Sequence, residues 1–415
     1  MDYYAIISIL IVLSAVFGFV NVRFLKLPTT IGLMTITLLF TISVLIIGQF
    51  NDAILIRERA LVSAIDFETV LMDIMLSFLL FAGALHTNFD QLKIHRGPVL
   101  MFSTLGVIVS TILVGGVVYG ILSLLSLNVS LVYCFLFGAL ISPTDPIAVL
   151  GILKKANAPK KLEAKIVGES LFNDGVGVVV FLTILSIAKS SGADVEPLSI
   201  FKLFSQEVFG GIGLGLILGW IAFKMMKSID NYEIEVIITI AIVMGGTLIA
   251  HKWHLSSPLA MVTAGLLVGN DKLRQAAMSK ETEGYVDKFW ELIDVLFNII
   301  LFVLIGMEIL VLTFRLDYIL AGLIAVPFIL ICRYLSLWLP IKTFARRLNF
   351  VPHTNLIMTW GGLRGGISVA LALSLPKDMY RELFLVMTYV VVVFSIIGQG
   401  LTVGPIIKKL TEPKQ

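Results

Sequence analysis

Long runs of apolar residues, separated by short polar breaks, recur along the whole chain. A helix needs about 20 consecutive apolar residues to cross about 30 Å of hydrocarbon. Counting such windows between charged, proline or glycine borders predicts thirteen membrane spans. The predicted spans are 4–22, 29–48, 67–86, 99–125, 130–151, 166–188, 204–226, 234–251, 257–269, 289–312, 316–339, 355–375 and 381–407. The pattern therefore predicts an all-α polytopic membrane protein.

The composition supports this prediction and argues against a soluble enzyme. The 415 residues are 58% hydrophobic and 14% charged, whereas soluble domains are about 45–50% apolar and about 25% charged. The formal net charge of +3 is small, and no basic run is interleaved with aromatic residues, so no nucleic-acid partner is expected. Cys134 and Cys332 both lie in apolar spans, so we expect neither a disulfide nor a metal framework, and no cofactor.

The distribution of basic residues sets the expected orientation in the lipid bilayer. Loops on one side carry 21 of the 31 lysines and arginines and loops on the other side carry 8, the remaining two lying inside spans. The side rich in lysine and arginine faces the cytoplasm, so a multi-pass protein of the cell membrane is predicted, with its N-terminus outside and its C-terminus inside. The first span lacks a basic n-region and is expected to remain as an uncleaved anchor.

The spans divide into two sets of six around a central one. We predict one transmembrane domain over 1–415, with repeat one at about 4–188, a linker helix at about 204–226 and repeat two at about 234–407. An odd number of spans in repeat one plus linker gives the two repeats opposite orientations, so they are inverted. The loops are too short to bury a core of their own, so no soluble domain is expected.

Spans 5 and 12, the fifth of each repeat, contain residues that a continuous helix disfavours. Span 5 carries Ser-Pro-Thr-Asp-Pro at 142–146 and span 12 carries Gly-Gly-Leu-Arg-Gly-Gly at 361–366. Pro143 and Pro146 each remove an N–H and clash with the carbonyl four residues earlier. The freed carbonyls are costly in lipid unless they line a polar cavity or meet an ion. An ordinary kink is the alternative, but paired broken spans indicate a transporter substrate site.

Span 6 places two carboxylates, an amide and a hydroxyl inside an apolar run, where such groups are costly. At about 100° per residue, Ser170 lies one turn from both Asn173 and Asp174, so these three share a face. Glu169 is displaced from Asp174 by about 140°. It is therefore expected to meet a different partner.

Two arginines also lie inside spans, and each needs a buried anion or a polar cavity. Arg333 is expected to pair with Glu169, holding two helices in register; direct coupling of this pair to the ion is the alternative. Arg364 is expected to face the carbonyl ends around the break of span 12.

The remaining polar groups match the oxygen ligands of a small cation. Asp174, Asp145, Ser170 and carbonyls freed near Thr144 supply the carboxylate, hydroxyl and carbonyl oxygens that hard cations prefer. One carboxylate can hold a proton or a metal ion, but not both, and such competition with alternating access suffices for antiport. Na⁺, Li⁺ and K⁺ all accept these ligands. A cation channel and an intramembrane aspartyl protease are distant alternatives.

Three motifs together resemble the sodium/proton exchanger branch of the monovalent cation:proton antiporters, in its prokaryotic form. They are residues 142–146, the Gly-Glu-Ser-Leu-Phe-Asn-Asp-Gly sequence at 168–175, and residues 361–365. The likeness covers nearly the whole membrane chain. It implies an inverted-repeat transporter, not an enzyme, in which spans 5 and 12 cross as broken helices and which forms a homodimer.

The resemblance also implies roles for individual residues. Asp174 matches the principal ion and proton carboxylate, with Ser170, Asp145 and the Thr144 backbone as co-ligands. Asn173 matches the position that separates this branch from electrogenic relatives with two aspartates, which implies one-for-one, electroneutral exchange of Na⁺ or Li⁺ for H⁺. Glu169 and Arg333 match the family's buried ion bridge, and K⁺/H⁺ antiport stays open as an alternative.

Overall fold

The structure, a computed structural model, describes residues 3–48, 50, 67–87, 89–94, 96–145, 149, 153, 160–189, 197–313, 315–344 and 352–411. Regular structure in these residues is entirely helical. The helices are α1 (Tyr3–Val20), α2 (Thr29–Gly48), α3 (Leu76–Leu85), α4 (Phe89–Ile94), α5 (Arg96–Ser103), α6 (Leu105–Leu124), α7 (Leu131–Ile141), α8 (Lys160–Lys189), α9 (Pro197–Lys227), α10 (Tyr232–Lys252), α11 (Ser257–Val268), α12 (Asp271–Ala277), α13 (Lys280–Glu308), α14 (Leu316–Phe344), α15 (Thr354–Trp360), α16 (Gly366–Leu373), α17 (Arg381–Val393) and α18 (Gly400–Thr411). The helical turn Phe67–Thr69 and three π-helical segments, Asn21–Leu25, Val70–Met75 and Phe394–Gln399, extend or join these helices.

Each of the thirteen predicted spans coincides with helix in the described residues. Nine helical stretches there are long and apolar enough to cross a membrane. The other four predicted spans coincide with α3 and its π-helical extension, α7, α11, and the pair α15 and α16. The predicted all-α polytopic fold is therefore confirmed, and two of the four short elements are the spans whose sequences predicted a break.

Helix ends differ from the prediction where a polar turn precedes the apolar run. Helix α13 begins at Lys280 rather than at 289. The Ser279 side chain accepts a hydrogen bond from the Thr282 N–H, and Glu281 and Glu283 occupy the first turn, where negative charge favours the helix dipole. A hydropathy window detects only the apolar part of such a helix.

Close packing explains why the short helix α11 persists. The Ser256 side chain caps its N-terminus by accepting a hydrogen bond from the Leu259 N–H. Helix α9 presents Gly211, Gly215 and Gly219 to it, four residues apart, and a Cβ on Gly215 would collide with the Ala260 carbonyl. Small residues at this spacing let two membrane helices approach closely.

The two interrupted spans meet at their breaks. Helix α7 ends at Ile141, and the chain continues without helix through Asp145. Helices α15 and α16 are separated by residues 361–365. The Asp145 N–H donates a hydrogen bond to the Leu363 carbonyl over 2.7 Å. This backbone contact joins the two breaks, and the hydrogen bonds of Thr144 to Ser170 and Asn173 place the break of span 5 beside the middle of α8.

Candidate cation-binding site

Helix α8 presents four buried polar side chains within two turns. Glu169, Ser170, Asn173 and Asp174 are each no more than 2% exposed to solvent. Because the helix is unbroken across them, their directions follow the 100° rotation per residue. Ser170 and Asn173 contact the broken end of α7, Asp174 lines a cavity, and Glu169 contacts α14.

Asn173 holds the break of span 5 in place with both ends of its amide. Its Nδ2 donates to Thr144 Oγ1 over 2.8 Å, and its Oδ1 accepts from the Thr144 N–H over 3.2 Å. The Thr144 and Ser170 hydroxyls lie 2.9 Å apart and share a hydrogen bond. An amide is suited to this position because it donates and accepts at once, which a carboxylate cannot do.

Asp145 and Asp174 line one cavity of about 40 Å³, together with Pro143 and Gly365. At about 10–15 Å³ of such volume for each water molecule, the space has room for about three water molecules, or for a small ion with one or two of them. No hydrogen bond joins the Asp174 carboxylate to any residue that the structure describes. A side chain at Gly365 would displace Asp145, because an added Cβ would fall under 3.0 Å from its carboxyl group.

The expected ligand set is thus divided into two neighbouring groups. Asp145 and Asp174 face the cavity, whereas Ser170 and Thr144, whose backbone was the expected ligand, lie beside it with their hydroxyls bonded to each other. Pro143 is at the cavity wall, and its ring occupies the space that a side chain on Gly177 of α8 would need. Pro146, predicted with these residues, lies outside the described part of the chain.

Glu169 and Arg333 form a buried ion pair, which is the contact expected from the sequence. Arg333 Nη2 lies 2.5 Å from Glu169 Oε1, and both side chains are at most 2% exposed. Arg333 is on α14, so the pair connects that helix to α8. Breaking such a buried pair by removing one charge is strongly unfavourable.

The expectation for Arg364 was wrong about which carbonyls it meets. Its Nη1 donates to the carbonyls of Ser142 over 2.5 Å and Pro143 over 2.9 Å, at the break of span 5 rather than span 12. At the break of span 12, other groups bond to two of the carbonyls: the Trp360 carbonyl accepts from Gln399 Nε2 over 3.0 Å, and the Leu363 carbonyl accepts from the Asp145 N–H.

The π-helical segment Phe394–Gln399 also completes the break of span 12. Its Ser395 hydroxyl accepts the Arg364 N–H over 2.8 Å, and its Gln399 binds the end of α15. A π-helical turn redirects side chains within a helix and is common at functional sites. The segment therefore bonds to the backbone of span 12 at both ends of its break, while the Arg364 guanidinium bonds to the break of span 5.

Sequence reasoning missed two polar residues that line the cavity, Asn298 of α13 and Ser368 of α16. Asn298 is a buried amide inside an apolar run, which is a usable signal. Ser368 follows the glycine-rich break by only two residues. Every ligand predicted from the sequence lies in span 5 or span 6, so these neutral groups of α13 and α16 are not among them.

Comparison with known proteins gives a consistent result. The family profile described as "Sodium/hydrogen exchanger, transmembrane" matches residues 9–409. The Na(+)/H(+) antiporter NhaP of Pseudomonas aeruginosa is 45% identical over 410 residues, covering 98% of this chain and 96% of that protein. The Na(+)/H(+) antiporter NhaH of Halobacillus dabanensis is 34% identical over 394 residues, covering 94% of this chain and 93% of that protein.

A solved structure shares the fold. The sodium proton antiporter MjNhaP1 from Methanocaldococcus jannaschii matches with a TM-score of 0.77 at 20% identity, covering 100% of both chains. At this identity the likeness concerns the fold alone. The profile match extends over nearly the whole chain, and the sequence identity to NhaP extends over nearly all of both proteins. The chain therefore belongs to the transmembrane sodium/hydrogen exchanger family.

Proposed function

We propose that this chain is a secondary active antiporter that exchanges Na⁺, and also Li⁺, for H⁺ across the cell membrane. The observation that carries the proposal is the small cavity lined by both Asp145 and Asp174 beside two broken helices. The relatives carry the name Na(+)/H(+) antiporter, which favours Na⁺ over K⁺ as the substrate. Members of an exchanger family transport ions, so no enzymatic reaction and no cofactor are expected.

Asp174 is the group that a proton and a cation would occupy in turn. Its carboxylate is buried and faces the cavity, and Asp145 and Arg364 are near enough to act on it electrostatically. A desolvated carboxylate must be neutralised by a proton or paired with a cation. Binding of one excludes the other, so a cycle that exposes the site to each side in turn exchanges the two ions.

The charges around the site support one-for-one exchange. Glu169 and Arg333 balance each other, and the single charge of Arg364 balances one of the two aspartates. One negative charge then remains, which a single Na⁺ or a single H⁺ neutralises. The neutral amide of Asn173 adds no second titrating group, so the loaded site has the same charge in both halves of the cycle.

Ser170 and the backbone of Thr144 would act as co-ligands after a small rearrangement. The Ser170 hydroxyl bonds to the Thr144 hydroxyl next to the cavity, and rotation of Ser170 about its side-chain torsion would direct its oxygen to the ion. Asn173 would then keep the Thr144 backbone in position. Arg364 and the pair of Glu169 with Arg333 are proposed to hold the broken helices rather than to bind the ion.

The arrangement in the membrane is part of the proposal. We propose an N-terminus outside the cell and a cytoplasmic C-terminus, because basic residues are concentrated on the latter side. Repeats over about 4–188 and 234–407 would be inverted around the linker helix at about 204–226, and two copies would form a homodimer. A cation channel and an intramembrane aspartyl protease are not proposed, because the chain belongs to an exchanger family.

Proton flux in proteoliposomes tests the function. Vesicles containing the parent protein or Asp174→Asn carry a pH-sensitive dye and receive a pulse of Na⁺, Li⁺ or K⁺. We expect the parent to move protons in exchange for Na⁺ and Li⁺, at a rate that is unchanged when the membrane potential is clamped. We expect Asp174→Asn to lose exchange, because an amide neither binds a proton nor compensates a cation.

Asp317→Asn is the matched control, since this carboxylate lies at the surface and bonds to Arg315 over 2.7 Å. It should exchange at the parental rate. Parental exchange by Asp174→Asn would reject the assignment of Asp174. A rate that follows the imposed voltage would reject electroneutral exchange.

A further inference from the structure

Two polar residues that line the cavity, one on α13 and one on α16, have buried oxygens without a hydrogen bond in the part of the chain that the structure describes. Asn298 Oδ1 and Ser368 Oγ are buried, and neither has a hydrogen bond within the described residues. Asn298 is 4% exposed and Ser368 is 1% exposed. Buried polar atoms are nearly always hydrogen-bonded, so two exceptions that line the same small cavity need an explanation.

The orientation of the Asn298 amide follows from its other contacts. Its Nδ2 donates to the Asp294 backbone carbonyl over 2.7 Å and to Asp294 Oδ1 over 3.1 Å. Both partners are acceptors, so the nitrogen belongs on that side and the amide cannot be reversed without loss of both bonds. The oxygen of Asn298 is therefore left as an acceptor for a ligand of the cavity.

Ser368 is held close to Asn298 by helix packing. It lies in the first turn of α16, directly after the break of span 12. Leu301, one turn after Asn298 on α13, packs against Gly366, where an added Cβ would lie 2.6–3.0 Å from the leucine side chain. The α13 face with Asn298 and the start of α16 therefore meet at the cavity.

We propose that Asn298 Oδ1 and Ser368 Oγ are ligands of the transported cation, opposite Asp145 and Asp174. This inference rests on the proposed function and adds the second repeat to the ligand shell. An amide oxygen and a hydroxyl oxygen are suitable ligands for a hard cation. The four oxygens come from α13, α16, α8 and the break after α7, so cation binding would join both repeats.

Neutral ligands have a different effect from carboxylates in an exchange cycle. Neither Asn298 nor Ser368 takes up a proton at physiological pH. They therefore favour the cation over the proton at the shared site without changing the one-for-one charge balance. Loss of these oxygens should weaken cation binding while proton binding at Asp174 and turnover at saturating Na⁺ persist.

The test compares Asn298→Ala, Ser368→Ala and the double variant in the proteoliposome assay, beside Asp174→Asn. We expect the KM for Na⁺ to rise at least threefold in each single variant and at least tenfold in the double variant. The maximal rate should stay within twofold of the parent. Ser374→Ala is the matched control, because this serine near the other end of α16 bonds to the Leu371 carbonyl over 2.9 Å; its KM should equal that of the parent.

A binding measurement covers the case in which a variant reconstitutes poorly. In detergent, Na⁺ should raise the unfolding temperature of the parent, and Ser368→Ala should need at least threefold more Na⁺ for the same rise. This inference alone would be overturned if the KM for Na⁺ changed less than threefold in all three variants and Ser368→Ala needed less than threefold more Na⁺ for the same rise in unfolding temperature, while Asp174→Asn was inactive. Parental exchange by Asp174→Asn would instead overturn the proposed function.

Discussion

Glu169 and Asp174 are buried carboxylates on one helix, five residues apart, and they differ in what surrounds them. Glu169 forms an ion pair with Arg333 over 2.5 Å. Asp174 lines a cavity and has no hydrogen bond to the residues that the structure describes. Both are at most 2% exposed. Two carboxylates that are equally buried therefore differ in their contacts: Glu169 has a charged partner in direct contact, whereas Asp174, the proposed exchange carboxylate, faces a cavity.

The largest expected effect is on stability, at the paired carboxylate. Glu169→Gln leaves Arg333 charged and buried without its partner, which costs about 3–5 kcal/mol. The free energy of unfolding in detergent, from chemical denaturation, measures this change. Glu283→Gln is the control, since its partner Arg274 lies 3.4 Å away and Glu283 is 30% exposed; its cost should be at most about 1 kcal/mol. Equal effects of the two variants would show that the Glu169 pair is not structural.

A smaller loss is expected at the arginine that joins the two breaks. Arg364→Met removes the donor to the carbonyls of Ser142 and Pro143. An orphaned buried acceptor costs about 1–3 kcal/mol, so we expect a decrease of about 2–4 kcal/mol in unfolding free energy. Arg315→Met, at an exposed ion pair with Asp317, is the control. A stability equal to that of this control would mean that Arg364 does not hold the breaks.

A still smaller loss of stability is expected where Asn173 binds the break of span 5. Thr144→Val removes the hydroxyl that Asn173 Nδ2 and Ser170 Oγ contact. Two buried polar groups lose a partner, so we expect a loss of about 1–3 kcal/mol in unfolding free energy and a raised KM for Na⁺. Thr144→Ser keeps the hydroxyl and should remain near the parent. If Thr144→Ser lowers the unfolding free energy as much as Thr144→Val, loss of the hydroxyl is not the cause of the destabilisation.

The smallest effect on stability is expected at Asp174, and its sign is opposite to that of the other variants. Asp174→Asn removes a buried carboxylate that has no hydrogen bond within the described part of the chain, so the unfolding free energy in the absence of Na⁺ should stay the same or rise by about 1 kcal/mol. The same denaturation series measures it beside Glu169→Gln. A loss comparable to that of Glu169→Gln would contradict the contrast between the two residues.

Much of this contrast could be predicted from the sequence because it depends on local geometry. The rotation per residue along a helix separates Glu169 from Asp174, and the scarcity of intramembrane arginines limits the partners of Glu169 to two candidates. Length and hydropathy predict the spans, since the bilayer fixes both. The start of α13 at Lys280 was not predicted, because the capped first turns of this helix are polar and a hydropathy window does not detect them.

Contacts between spans could not be predicted in the same way. Arg364 bonds to carbonyls of span 5, and Gln399 and Ser395 of the π-helical segment bond to the backbone of span 12; these contacts join residues that are far apart in the sequence. The structure brings Asn298 and Ser368 to the cavity of Asp174, a contact between distant parts of the chain that the sequence does not show. A neutral side chain in an apolar span carries a weak signal by itself.

The most direct test of the central claim is the number of protons released for each Na⁺ that binds. Calorimetric titration of the detergent-solubilised protein with Na⁺, repeated in buffers of different ionisation enthalpy, gives this number without transport. At a pH where Asp174 is largely protonated, the parent should release close to one proton for each Na⁺ bound, and Asp174→Asn should release none. Na⁺ binding by the parent without proton release would contradict the account.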